Sequence, residues 1–396
     1  MAFATRKARN TALAVIAQTD RAAFVDPAAN LMPCSNMQLN ISSVTVANPE
    51  YTGVVDQNGD EIVGKQATIS FDINLRAPGG ADVPSAGAYL PGIILKNAKM
   101  TEVITATAIP SSPEALSSGT TTGFTGGAGM TGTADLYKAM LVRLLGVSTG
   151  LTGISAIRAN SAGKVVELCE TFGSSLSGNY QIPKQLAYVN DIGATDPKPL
   201  SIKAWLGGKR YDLLDCQVTS CALSVQTSTT RQGSIPVLRV TLSAVIYATA
   251  DEATPSIPAL GPTPKYRDGK QFISKKAVGG SGFELNFGIQ TDAAPNPNFA
   301  SGDEGDEITS KQITLTPNLL SYLKADFDTL AMADAQAYHS FFALWGSGSG
   351  QIVGVIVPDA RFSHAGDDLG GTHVTQSPQM WVDVMSKSAA IVFPYF

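Results

Sequence analysis

Charge is scarce in this 396-residue chain: 15% of the residues are Asp, Glu, Lys or Arg, and the formal net charge is −5. Such a chain has no general attraction for phosphate or anionic lipid, which argues against a general nucleic-acid binder. Cysteine is scarcer still. Cys34, Cys169, Cys216 and Cys221 form no Cys-x-x-Cys pair; Cys216 and Cys221, five apart, fall on opposite faces of a single strand, a poor arrangement for a shared metal. Reduced, packed thiols are expected. His339, His364 and His373 lack metal-binding spacing, and no Gly-x-Ser-x-Gly, Walker or Gly-x-Gly-x-x-Gly element follows a strand. The sequence therefore predicts neither an enzyme nor a cofactor. No apolar run approaches the roughly 20 residues of a membrane helix, so no membrane insertion is expected. Arg6, Lys7 and Arg9 precede an apolar run at residues 12–17, but Gln18, Asp20 and Arg21 cut it too short for a signal peptide. Synthesis in the cytoplasm is the expectation.

What the chain has in quantity is glycine (38) and proline (22), with 44% hydrophobic residues, a balance that fits a turn-rich, mainly β protein with room for two or three domains. Residues 63–76 (VGKQATISFDINLR) organise it. Ala67, Ile69, Phe71, Ile73 and Leu75 alternate with Gln66, Thr68, Ser70, Asp72, Asn74 and Arg76, the period-two signature of a long half-buried strand. A weaker echo stands at residues 310–315 (SKQITL), where Lys311 and Gln312 repeat Lys65 and Gln66.

In chain order, residues 9–18 read as either a short strand or a helical arm. Residues 37–46 make a strand, Asn58-Gly59 signals a turn into the organising strand, and residues 86–98 form a short apolar helix with Pro91 in its first turn. Residues 110–199 differ in texture, with a Ser/Thr/Gly-rich tract and helical spacing at residues 135–145, and read as an insertion. Strands return at residues 201–205 and 210–225, joined through Gly207-Gly208, and at residues 236–246; residues 251–264 are a Pro-rich linker. The order then recurs: a strand at 283–290, an acidic loop containing Asp303, Glu304, Asp306 and Glu307, the 310–315 strand, a helix over 319–333, a glycine hairpin in 341–357 and a last strand at 380–385. Duplication is the preferred account: a first domain (1–250) with an insertion, a linker, and a second domain (265–396).

The run from Gly64 to Leu95, the hairpin at Leu206 to Gly208, the strand reaching Tyr247, the Pro-rich linker, and their counterparts from the Phe283 strand to the Gly346 to Pro358 hairpin resemble the tail tube (major tail) proteins of long-tailed bacteriophages. The resemblance covers most of the chain except the insertion. It implies a mainly β fold with short flanking helices, built as two tandem β-sandwich or split-barrel tail-tube domains. It also implies a structural virion protein that self-assembles into stacked rings, trimeric and pseudo-sixfold or alternatively hexameric, forming the hollow tube through which the genome leaves. Its partners would be itself, the tail terminator, tape-measure and distal tail proteins, and double-stranded DNA passing without specific binding; assembly would take place in the host cytoplasm.

On that reading Gln66, Thr68, Ser70, Asp72 and Asn74 are candidates to face the lumen, and the loops carrying Asn48, Tyr51, Asp56 and Asn58 and carrying Asp303, Glu304, Asp306 and Glu307 are candidates for ring stacking. The acidic loop lacks the ligand spacing of a calcium loop and otherwise reads as solvated. The alternatives are a head-to-tail connector or distal tail protein of the same fold, or a secreted carbohydrate-binding β-sandwich, which the missing signal peptide and free cysteines disfavour.

Overall fold

The computed structural model describes residues 11–47, 59–146, 150–226, 234–258, 263–267, 269–296, 303–371 and 373–396. It is mainly β, with two short α-helices among the described residues, Leu90–Asn97 and Thr329–Ala335.

The organising strand is Glu61–Asn74, antiparallel on one side to Ser35–Val46 and on the other to Val237–Asp251. Its inward residues Ala67, Ile69, Phe71 and Ile73 are each at most 3% exposed, as the alternation dictates. Val237–Asp251 pairs along the eighteen-residue strand Lys209–Gln226. The first part of Lys209–Gln226 returns through the Gly207-Gly208 turn, both glycines at positive φ, to Leu200–Leu206 and then to Thr11–Ala17. Residues 11–17, which the sequence left between strand and helix, are a strand.

The far end of Lys209–Gln226 pairs with Gly280–Asn286, and this one ladder carries the sheet from the first half of the chain into the second. Thr314–Leu320, Met380–Val382, Ile352–Phe362, His339–Gly346 and Lys270–Ile273 follow in turn. The chain's last strand, Ala390–Tyr395, pairs with Ile352–Phe362 and with Lys184–Val189, which also borders Thr101–Thr105. The main core is a single cluster running from Leu13 to Tyr395, so the two halves share both sheet and core.

The Leu90–Asn97 helix closes this core with Ile94 and Leu95 fully buried. Pro91 lies in its first turn, where no backbone donor is lost. Gly92 touches Tyr188 so closely that an added Cβ would meet the phenol oxygen at 1.8 Å, which is why a glycine stands in the helix.

Several sequence expectations are corrected. The helix expected over residues 319–333 is Thr329–Ala335; Leu319 and Leu320 finish a strand, and Asp328 caps the helix by accepting from the Ala331 N–H. The 310–315 strand is two strands, Asp303–Lys311 and Thr314–Leu320, that part at Gln312 and Ile313. Residues 283–290 likewise break at Gly288, whose φ of 54° turns the chain out of Gly280–Asn286 into Ile289–Pro295. Residues 135–145 are turns followed by the strand Leu141–Leu144, not a helix. The strand at 380–385 is only Met380–Val382, and the last strand is Ala390–Tyr395.

Residues between Ile109 and Ile182 build a separate seven-stranded sheet with its own core around Phe124, Tyr137, Leu144, Ile157 and Tyr180. It stops short of the expected residue 199, since Lys184–Val189 already belongs to the main sheet. A second cluster, including Leu141, Ile154, Ala156, Phe342, Leu344, Ile356 and Val392, packs this unit against the main sheet. Ion pairs ring the joint: Lys138 and Arg158 both reach Asp359 (2.9 and 3.1 Å), and Lys270 reaches Glu170 at 3.0 Å.

Candidate functional site

The outward residues of the organising strand do not stand alone. In register beside Thr68, Ser70 and Asp72 lie Asn40, Gln38 and Ser35 on one neighbour, and Ser243, Thr241 and Arg239 on the other. Arg239, Thr241 and Val237 oppose Ala222, Ser220 and Ser224; Ala222 and Ser224 oppose Asn286 and Glu284; and Asn286, Glu284 and Gly282 oppose Thr314, Thr316 and Asn318. Side chains directly opposite in a ladder share a face. Six strands thus form a largely polar face of Ser, Thr, Asn and Gln, interrupted by Val237, Ala222 and Gly282, backed by the main core and crossing from the first half to the second along one continuous set of ladders.

Among the described residues in these rows only Asp72, Arg239 and Glu284 are charged. Asp72 accepts from the Asn36 side-chain amide at 2.7 Å, and Arg239 lies 3.9 Å from Glu284. Gln66 and Thr68 are exposed; Ser70, Asp72 and Asn74 are half-buried. All five predicted face residues therefore lie together on one surface. That Val237–Asp251, Lys209–Gln226, Gly280–Asn286 and Thr314–Leu320 are successive neighbours on this face escaped sequence reading, because pairing between segments far apart in the chain leaves no local trace.

Two hairpins extend from this sheet. Past Ala67 the organising strand loses Val237–Asp251 as a partner, and from Glu61 to Gln66 both of its faces are exposed. There Ile41, Val44, Val46, Ile62 and Val63 are between 38% and 72% exposed, an apolar surface on a two-stranded arm that has little stability of its own. Ser35–Val46 has no partner on its outer edge among the described residues. Asn48, Tyr51, Asp56 and Asn58 lie outside the described residues.

The second hairpin is Ile289–Pro295 with Asp303–Lys311. Asp303, Glu304, Asp306 and Glu307, expected in a loop, are on its strand. Sequence reading missed this because acidic, Gly-containing runs seldom pair; here Gly305 (φ 80°) packs against Asp215, and the Arg21 guanidinium holds Glu307 at 3.5 Å and donates to the Asp306 carbonyl at 3.3 Å. At the root of this arm the Lys311 amine donates to the Lys99 carbonyl (2.9 Å) beyond the Leu90–Asn97 helix, contacts the Met100 sulfur and lies 5.5 Å from the Phe287 ring centre. Burial pushes this amine down to about 7, and the nearby Lys99 adds to the effect.

Among the described residues no three His, Cys, Asp or Glu side chains are grouped to hold a metal ion. Cys216 and Cys221, expected on opposite faces, both lie in the main core: irregularities between Leu214 and Gln217 and between Val218 and Ser220 reset the alternation. Burial pushes the thiols of Cys169 and Cys221 up to about 12 and that of Cys34 to about 11, so none is a nucleophile near neutrality. His339 is bonded to the Ser274 hydroxyl and pushed down by burial, hence neutral, and His364 pairs with Asp334 at the surface. A cleft of 520 Å³ between Met32, Ile73, Arg76, Tyr89 and Leu90 contains no nucleophile with a neighbouring base; its one hydroxyl, on Tyr89, is bonded to the Arg76 carbonyl. No helix among the described residues is long and apolar enough to cross a membrane.

No protein-family model and no curated protein sequence matches the chain.

Proposed function

We propose that the chain is a self-assembling subunit of a phage-type tail tube. The observation that carries this reading is the six-stranded polar face, which spans both halves of the chain and is nearly free of charge. Closed around an axis, such a sheet lines a conduit with hydroxyl and amide groups that offer a phosphate backbone little to grip, and fast passage of DNA requires weak phosphate contact.

The edges of the sheet favour closure as well. The edge of Ser35–Val46, unpaired among the described residues, and the exposed Ile41, Val46, Ile62 and Val63 are an aggregation hazard in a lone subunit, and a ring removes both by pairing and covering them. Two halves that each contribute strands to the shared sheet and a projecting hairpin support a pseudo-sixfold ring of three chains, with a ring of six chains as the other arrangement. The two arms are the stacking elements, with the tail terminator, tape-measure and distal tail proteins as the further partners and the virion tail as the location.

Electron microscopy of the purified protein at high concentration tests this. Stacked hollow rings with three chains and six similar lobes are expected. Compact particles that never assemble would overturn the reading and favour a β-sandwich binding module, to be assayed against glycans.

A further inference from the structure

Arg239 is the one cation among the described residues of the polar rows, and it stands at the seam between the two halves. Asp72 is its direct cross-strand partner on the Glu61–Asn74 side. On the other side its guanidinium reaches to 3.9 Å from Glu284, which lies not on the adjacent strand but one strand further. The strand between them presents Ala222 and Ser224 at this level, side chains small enough for an arginine to cross. With more than half of its side chain exposed, Arg239 would by itself offer surface phosphate a planar, multi-donor fork.

We propose that Asp72 and Glu284 shield Arg239 from polyanions, so that the polar face carries its seam arginine without retaining duplex DNA. This deepens the tube reading and rests on it for its biological role. The Glu284 carboxylate lies beside the guanidinium, Asp72 stands next to Arg239 in the ladder, and the three-residue group carries a net charge of −1, so a phosphate must displace Glu284 and approach negative charge to bind. An exposed pair of this kind adds little to stability, so its removal separates charge from folding.

The experiment compares the wild type with D72N/E284Q and with D72N/E284Q/R239Q. Each is checked by circular dichroism and for tube formation by microscopy, and its binding to a short DNA duplex is then measured from 20 to 200 mM salt. The double variant is expected to bind with a log–log salt slope steeper by about one per engaged arginine, and the triple variant to return to wild-type behaviour. A double variant that binds no more tightly than the wild type overturns the shield, as does a triple variant that keeps the gain. Because binding is also read on unassembled chains, failure of the shield is distinguishable from failure to form tubes.

Discussion

Replacing Lys311 with methionine should make the protein more stable at neutral pH, although it removes a hydrogen bond. The Lys311 amine is the donor to the Lys99 carbonyl at 2.9 Å, no described carboxylate forms an ion pair with it, and burial lowers it from 10.5 to about 7. The sign follows from linkage. The unfolded chain binds this proton up to about pH 10.4 and the folded one only to about 7, so this group's contribution rises with pH from 7 to 10.4 and is flat below 7. At about 1.4 kcal/mol per pH unit the ceiling is about 5 kcal/mol; because the side chain keeps some contact with water, about 1–3 kcal/mol is the working figure.

Methionine has nearly the same length, packs against Phe287 and Met100, and forfeits about 1 kcal/mol with the lost bond. The net expectation is a gain of up to about 2 kcal/mol at pH 7 that shrinks toward pH 9. Urea unfolding of wild type and Lys311→Met at steps between pH 7 and 9 reads this difference directly. The cysteines, held as thiols in the fold, ionise in the unfolded chain within this window, but equally in both proteins, so they cancel in the difference. A variant less stable at pH 7, or a difference that does not change with pH, would refute the reasoning.

Three further outcomes are expected. Gly92→Ala gains helix propensity but drives a methyl group into Tyr188, and should cost about 1–3 kcal/mol by denaturant unfolding; a neutral or stabilising result would mean that the helix sits further from the sheet. Lys270→Met leaves Glu170, 3% exposed in its side chain, without its cation and should destabilise by about 3–5 kcal/mol, with Lys270→Met/Glu170→Gln recovering much of the loss; no recovery would mean that the bonds from Lys270 to the Thr152 and Ile154 carbonyls matter more. Replacing Ser70 and Asp72 with lysine should leave assembly intact but slow DNA ejection from particles carrying the variant, and unchanged ejection rates would remove these residues from the lumen.

The parts of the fold legible in the sequence are those in which one strand carries its own pattern. Ala67, Ile69, Phe71 and Ile73 announce a buried face because each is two residues from the next, and the Gly207-Gly208 turn announces itself because both positions require positive φ. Where a strand is interrupted by its partners the pattern misleads. The break between Lys311 and Thr314 leaves an apparently continuous SKQITL alternation, yet Lys311 turns under the Leu90–Asn97 helix while Ile313 and Leu315 enter the core. Residues 319–333 look helical because Leu, Ala and Met recur there, but Leu319 is held by Gly280 in a ladder and Thr329–Ala335 alone keeps its cap. Tertiary pairing overrides local preference in both places.

The candidate site divides the same way. Five of its residues sit on one strand and were visible as a polar stripe, whereas what makes the stripe a surface is the ladder between Ala222–Gln226 and Gly282–Asn286, formed by two segments about sixty residues apart and on opposite sides of a Pro-rich linker. That ladder also bears on duplication. If the halves were independent domains joined by a flexible linker, each would close its own core; instead Leu223 and Val225 share one core with Phe283, Leu285 and Trp345. A repeated order of strand, turn and helix is therefore compatible with a chain whose halves fold as one body around one continuous sheet. In the proposed ring, a subunit of this kind would fix the curvature within each chain and leave only the contacts between chains to close it.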